Sequence, residues 1–335
     1  MKKLTINEIA EMVGVSKTTI SFYLNGKTNK MSDETQKKIQ QVIEETGYTP
    51  SASTRTVKAS DDCIGVILGD VSKPFAAKAL KGIEEEAHEA GYQVIVGNNE
   101  MSFAKEQEYV EHMLKMGVSG FIIQATYRFG LLARELEKKN KKIVYLDIPP
   151  YDSYGVRVIG DNYQCVYDAI SQCIKKGYDQ LLVVSDANES EYTGMDNLRG
   201  FKDAANDEGI PFKTYFIEGE TTKEEIHDYL NQQISPYKKT LVYVADVEAL
   251  RKVYLGIKLF PEFQTLFPER IGLLGFDVTG WTKLAVPEIT SIMIPAYQEG
   301  KISSQKLIEM IESKKEISNK RIIIKNVVRW RESTL

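Results

Sequence analysis

Cysteine and histidine are scarce, with only three of each in 335 residues. Cys63, Cys165 and Cys173 are odd in number and form no Cys-x-x-Cys pair. That argues against a disulfide framework or a zinc site, and fits a reducing cytoplasm. All three read as small buried apolar side chains. His88, His112 and His227 each lie in a charged amphipathic stretch and read as exposed. No nucleophile is paired with a base. No Gly-x-Gly-x-x-Gly follows an apolar run and no P-loop occurs, so neither a cofactor nor a metal is expected. No apolar run approaches the roughly 18 residues that cross a bilayer. The start, Met1-Lys2-Lys3-Leu4-Thr5, turns polar at once, unlike a signal peptide. A membrane partner is therefore not expected.

Net charge is −4, unevenly spread: residues 1–60 carry +3 and the remainder −7. A basic head on an acidic body suits contact with nucleic acid at one end only. The head reads as three short helices. Thr5-Ile6-Asn7-Glu8 is a capping box, after which Ile6, Ile9, Ala10 and Val13 share a face. Gly14 ends that helix. Ser16 caps a second helix that runs to about Leu24, and Asn25-Gly26 ends it. A third starts at Ser32, with Asp33 and Glu34 in its first turn, and stops at Gly47. Ala10, Gly14 and Ile20 have the spacing of a helix-turn-helix, which would leave Lys17, Thr18, Ser21 and Phe22 on the outer face of the second helix. Lys17 could donate to guanine or phosphate, Thr18 could bond several bases, and Phe22 could touch a thymine methyl. Packing of Phe22 against the head is the alternative.

From Cys63 onward, short apolar runs alternate with amphipathic stretches of 10–15 residues, the pattern of βαβ units. The runs are Ile64–Leu68, Gln93–Val96, Phe121–Ile123, Ile143–Leu146, Val156–Ile159, Leu181–Val184, Tyr215–Ile217, Leu241–Val244, Ile271–Leu274 and Ile289–Ile294. Ten strands exceed one usual sheet, so two parallel sheets are expected. Residues 48–62 are small, polar and aperiodic, and read as a linker. Many runs end in a carboxylate: Asp70, Asp147, Asp161, Asp186, Asp246 and Asp277. Open α/β sheets bind ligands beyond the carboxyl ends of their strands, and a ring of Asp there suits a sugar or other polyol. Any single Asp could instead cap the following helix, which is the favoured reading for Asp161 and Asp246. An enzyme on an α/β body is the competing class, but nothing in the chain supplies its chemistry.

The stretch Thr5 to Ser21, then Leu24-Asn25-Gly26, Ser32-Asp33-Glu34-Thr35 and Gly47-Tyr48-Thr49-Pro50, resembles the head of the lactose/galactose repressor family (LacI/GalR). The likeness continues through Ile64-Gly65-Val66-Ile67, Pro74-Phe75, Gly82-Ile83-Glu84, Ala90-Gly91-Tyr92, Gly275-Phe276-Asp277 and Pro287, and so spans essentially the whole chain. It implies an α/β protein: a three-helix helix-turn-helix head plus a periplasmic-binding-protein-like pair of parallel-sheet subdomains. The segments would be a head at 1–49 and a hinge at 50–61. The N-terminal subdomain would take 62–160 with 292–320, and the C-terminal one 161–291 with 321–335. The implied function is a transcriptional repressor, not an enzyme. It would bind near-palindromic operator DNA as a homodimer, with a tetramer as the larger alternative, and answer to a sugar or sugar-acid effector. A corepressor-dependent regulator is the variant reading.

On that resemblance, Thr5, Ser16, Lys17, Thr18, Thr19, Ser21, Phe22 and Asn25 belong to the DNA-binding head. Ser53, Arg55 and Val57 belong to the hinge, which would insert a wedge into the minor groove. The family usually has Leu where Val57 stands and Ala where Thr54 stands. This hinge should therefore form a helix less readily. The implied effector positions are Asp70, Phe75, Asn99, Asp147, Asp161, Asn197, Asp246, Asp277 and Trp281, with Phe75 and Trp281 as stacking rings. Asn197 stands where an Arg is common, Ala245 where an Asn is common and Thr221 where an aromatic is common. Loss of the Arg favours a neutral sugar over a sugar acid, unless Arg199 or Arg128 reaches in.

Overall fold

The computed structural model describes residues 4–24, 28, 31–46, 48, 63–147, 155–186, 194–313 and 321–334. They fall into two units, Met1–Ser60 and Asp61–Leu335. In the first, α1 (Ile6–Val13), α2 (Lys17–Leu24) and α3 (Asp33–Thr46) close on a core of Ile6, Ile9, Ala10, Ile20, Ile39 and Tyr48. The expected helix limits agree with these to within a residue.

The second unit opens with β1 (Cys63–Leu68), α4 (Pro74–Glu89), β2 (Gln93–Asn98), α5 (Phe103–Met116), β3 (Gly120–Ile123), α6 (Gly130–Lys138), β4 (Lys142–Leu146) and β5 (Val156–Gly160). The chain then crosses into α7 (Asn162–Lys175), β6 (Gln180–Asp186), α8 (Gly194–Asp207), β7 (Phe212–Ile217), α9 (Lys223–Gln233), β8 (Thr240–Val244), α10 (Val247–Ile257), α11 (Phe263–Leu266), β9 (Ile271–Asp277) and β10 (Thr290–Met293). It crosses back into α12 (Ala296–Glu312) and β11 (Arg321–Ile324), and finally returns to β12 (Val327–Arg329).

Two six-stranded sheets result, ordered β11-β5-β4-β3-β1-β2 and β12-β10-β9-β8-β6-β7. All pairings are parallel except β10 with β12. The apolar runs are continuous because helices cover both faces. In β1, Ile64, Val66 and Leu68 join the core shared with α4, while Cys63 and Ile67 join the core shared with α5. Likewise Leu181 and Val183 of β6 face one core, and Leu182 and Val184 the other.

All ten expected strands form. The boundaries after them need correction. Residues 292 and 293 belong to β10 in the second sheet, not to the first subdomain, and 321–324 belong to β11 in the first sheet, not to the second. The three crossings therefore fall at residues 160–161, 294–295 and 325–326. The cysteines are buried and unbridged. Burial pushes the Cys165 and Cys173 thiols up to about 12, leaving them poor nucleophiles. His88 and His112 are exposed, but His227 is half-buried, its ring centroid 4.5 Å from that of Phe260. The apolar ring on the neighbouring segment overrides the charged helix around it.

Candidate nucleic-acid interface and effector cleft

In the head, Thr5 and Glu8 form the expected capping box: Thr5 Oγ1 accepts from the Glu8 N–H, and Glu8 Oε2 accepts from the Thr5 N–H. Gly14, at φ 77°, makes the left-handed turn that closes α1. Ser16 Oγ then accepts from the Thr19 N–H at 3.1 Å and starts α2. Thr5, Ser16 and Thr19 thus shape the turn. Lys17 and Thr18 are exposed in the first turn of α2, and Ser21 and Phe22 are half-buried one turn later. The first turn of α1 holds Glu8 and that of α3 holds Asp33 and Glu34, but α2 has no acid there. Instead it begins with Lys17, which adds charge to the positive end of the helix dipole. That arrangement is unfavourable for an isolated helix and suited to a phosphate or an electron-rich base edge. Asn25, Ser53, Arg55 and Val57 lie outside the described residues.

In the second unit, the carboxyl ends of both sheets carry the proposed effector residues, but most of their polar atoms are already engaged. Asp277 is fully buried. Its Oδ1 accepts from the Thr279 and Gly280 N–H groups at 2.8 and 2.9 Å, and its Oδ2 from the Thr282 hydroxyl at 2.6 Å. Burial pushes this carboxyl up, yet the bonds from Thr282, Gly280 and Thr279 outweigh burial and hold it below the usual range. Asp277 therefore staples the loop that carries Trp281. Trp281 is half-buried, 6.1 Å from the Tyr254 ring and with the Arg251 guanidinium over its face. Asp246 caps α10, accepting from the Ala249 N–H at 2.5 Å. Asp70 folds its own turn through Ser72, whose N–H and hydroxyl it accepts.

Asp161 departs from expectation. It occupies the N-cap position of α7 but makes no capping bond there. Its Oδ1 instead accepts from the Asn326 N–H at 2.6 Å and its Oδ2 pairs with Lys325 at 2.9 Å, tying the first crossing to the third. Asn99 is fully buried and bonds Glu106, the Gln124 carbonyl and the Met101 N–H. Phe75 is half-buried in the first turn of α4 against the core below. Asn197 donates to the Ala245 carbonyl at 3.0 Å, and its Oδ1 meets no donor among the described residues. Asp147 follows β4 in a left-handed conformation, φ 64°. Burial of its carboxyl pushes it up to about 6, although a bond from the Gln124 side chain opposes the shift. Neither Arg199, stacked on Tyr163 beside Asp196, nor Arg128, stacked on Phe103, is bonded to these residues.

Several contributors were missed from sequence. Glu106 is fully buried and accepts from the Thr126 N–H, the Thr126 hydroxyl and Asn99, so it locks the segments after β2 and β3 together. A lone carboxylate on the apolar face of α5 was the available signal. Gln124 Oε1 accepts from the Gly69 N–H at 3.0 Å, which links β1 to β3. Lys78 of α4 donates to the Val278 carbonyl at 2.5 Å, a bond that spans the two sheets' halves of this unit. Glu299, in the first turn of α12, is 1% exposed.

Two family models match the chain. Residues 5–51 match bacterial regulatory proteins of the lacI family, and residues 61–330 match periplasmic binding proteins and the sugar binding domain of the LacI family. The HTH-type transcriptional regulator KdgR of Bacillus subtilis is 27% identical over 317 residues, covering 93% of this chain and 92% of that protein. A LacI family transcriptional regulator from Enterococcus faecium, solved with bound ribose, is 22% identical with a TM-score of 0.67, covering 81% of this chain and 98% of that one. The lac repressor dimer bound to operator and the anti-inducer ONPF is 19% identical with a TM-score of 0.72, covering 100% of both chains. With models matched across head and body alike, this chain belongs to the lacI family of bacterial regulatory proteins.

Proposed function

We propose that this chain is a cytoplasmic transcriptional repressor that binds a near-palindromic operator as a homodimer and changes operator affinity when a small sugar-like effector enters the cleft between its two sheets. The observation that carries this reading is the acid-free first turn of α2, with Lys17 and Thr18 exposed on it, in a chain whose larger unit presents two parallel sheets' carboxyl ends. The DNA readers are Lys17, Thr18, Ser21 and Phe22, supported by the capped turn. Ser53, Arg55 and Val57 form the hinge. In the cleft, Asp147, Asn197, Phe75 and Trp281 face the effector. Asp70, Asn99, Asp161, Asp246 and Asp277 shape the segments that hold those four. Effector and operator are coupled reciprocally: a ligand that weakens operator binding binds less well to the operator complex. The ribose-bound Enterococcus faecium relative supports a sugar as the ligand class.

Selection of binding sites from a random duplex pool, followed by anisotropy titrations with and without sugars, tests the proposal. A two-fold-symmetric consensus whose affinity falls with a sugar supports it. A rise in affinity instead assigns the effector as a corepressor. Binding without sequence preference refutes the regulator reading.

A further inference from the structure

The segment after β12 docks on the second sheet and reaches the loop that carries Trp281. Ser333 is fully buried; its hydroxyl donates to the Leu273 carbonyl of β9 at 2.6 Å and accepts from the Thr290 N–H of β10 at 2.8 Å. Thr334, also fully buried, donates to the Thr290 hydroxyl at 2.6 Å. These bonds hold the segment without the Arg331 side chain. That side chain, 13% exposed, goes further. Its Nη1 donates to the Ile289 carbonyl at 2.7 Å, the Ser291 hydroxyl at 2.8 Å and the Thr282 hydroxyl at 3.1 Å, and its Nε pairs with Glu288 at 3.4 Å. Residues 282 and 289–291 are the two feet of the Trp281 loop. Between them the Ile289 N–H donates to the Thr282 carbonyl at 3.0 Å. One guanidinium therefore clamps both feet.

The hydrogen bonds here run in one direction. The Asp277 carboxylate can only accept, so the single proton of the Thr282 hydroxyl goes to its Oδ2, at 2.6 Å. The Thr282 oxygen is then left to accept, and the guanidinium facing it can only donate. A buried cation and a buried carboxylate are thus joined through one hydroxyl, with charge assisting the bond at each end. Burying a guanidinium is costly, and docking of the segment does not require one. What it adds is the bond to Thr282. We infer that Arg331 is a positioning residue of the effector site: it holds the Thr282 hydroxyl on Asp277 and so fixes the loop from which Trp281 meets the ligand. This deepens the effector reading above and rests on it for the role of Trp281.

The test uses the full chain carrying Trp330→Phe, which leaves Trp281 as its only tryptophan. Acrylamide quenching of the Trp281 emission reads the loop, and the melting temperature reads the fold. Arg331→Met keeps an apolar stem and removes the donors; it should increase quenching and shift the emission to the red. Ser333→Ala loosens the same segment without touching Thr282; it should lower the melting temperature and leave quenching at the parent level. Thr282→Val should quench like Arg331→Met, Thr282→Ser like the parent, and Arg331→Met added to Thr282→Val should change nothing more. Quenching in Arg331→Met no greater than in Ser333→Ala makes Arg331 an anchor of the fold alone and overturns the inference. If Arg331→Met does not fold, equal quenching in Thr282→Val and Thr282→Ser overturns it instead. Thermal-shift titrations with ribose, glucose and galactose separate this inference from the reading beneath it. A sugar that binds the parent should bind Arg331→Met about ten-fold less tightly, the loss expected for one charge-assisted bond, and equal binding overturns the inference. A parent that answers to none of the three counts against the effector reading, while quenching still decides whether Arg331 positions the loop.

Discussion

Gly82 of α4 and Gly300 of α12 bring two helices into backbone contact. A β-carbon at Gly82 would overlap the Tyr297 carbonyl oxygen and lie 2.9 Å from the Lys301 nitrogen. One at Gly300 would overlap the Ala79 carbonyl oxygen. The obstruction in each case is backbone, which cannot rotate away. Gly300→Ala should therefore separate the helices and cost about 1–3 kcal/mol, the range for overpacking a close-fitted interior. Gly219, with nothing near its missing β-carbon, provides a neutral Gly→Ala control. Urea denaturation of both variants decides: equal midpoints would contradict the backbone contact.

Asp277 should stabilise the chain in a pH-dependent manner. Its folded-state carboxyl is held below the usual range. Such a group contributes stability above the unfolded carboxylate pKa, near 4, and loses it as pH falls through the lowered folded value. Asp277→Asn should lower the melting temperature at pH 7, and the gap to the parent should narrow below about pH 4. A gap that does not change with pH would deny the carboxylate its role as a loop staple.

Glu299 should behave in the opposite sense. Its carboxyl is raised by burial and by Asp147 and Asp161, and that of Asp147 is raised to about 6. A raised acid leaves stability intact below the unfolded pKa and removes it as pH climbs through the folded value. Glu299→Leu should thus raise stability by on the order of 1 kcal/mol at pH 7.5, with no gain at pH 4. Melting curves of the ligand-free chain at the two pH values check this; a loss of stability at pH 7.5 would contradict it.

Lys17 should matter for DNA and not for folding. As a cation at the positive end of α2, it destabilises the helix slightly. Lys17→Ala should leave the melting temperature unchanged or a little higher. It should also weaken operator binding and reduce the slope of log affinity against log salt by about 0.9. An unchanged slope would remove Lys17 from the phosphate contacts.

The helices and strands were legible wherever a segment buries a whole face. All ten longer apolar runs became strands, and Thr5-Glu8 and Ser16 capped the helices as their spacing required. β11 and β12 were not, since they are four and three residues long and half-exposed at sheet edges. The cleft was less legible. Spacing placed Asp70, Asp246 and Asp277 at strand ends, but it could not tell a carboxylate open to ligand from one closed on its own loop. That depends on which N–H groups the turn brings round, as with Thr279, Gly280 and Thr282 at Asp277. Glu299 escaped notice because only the crossing of α12 over β4 and β5 makes it neighbour to Asp147 and Asp161.

The late return of the chain to its first sheet has a consequence for synthesis. The head needs only residues up to Tyr48 to close its core, so it can form while the rest is still being translated. The first sheet cannot be completed until 321–324 emerge, because its edge strand is β11. Until then the outer edge of β5 has no strand beside it, and α4 waits for α12 to cover its glycine face. A ribosome stalled before residue 296 would thus hold a nascent chain with a finished DNA-reading head and an unfinished sensor.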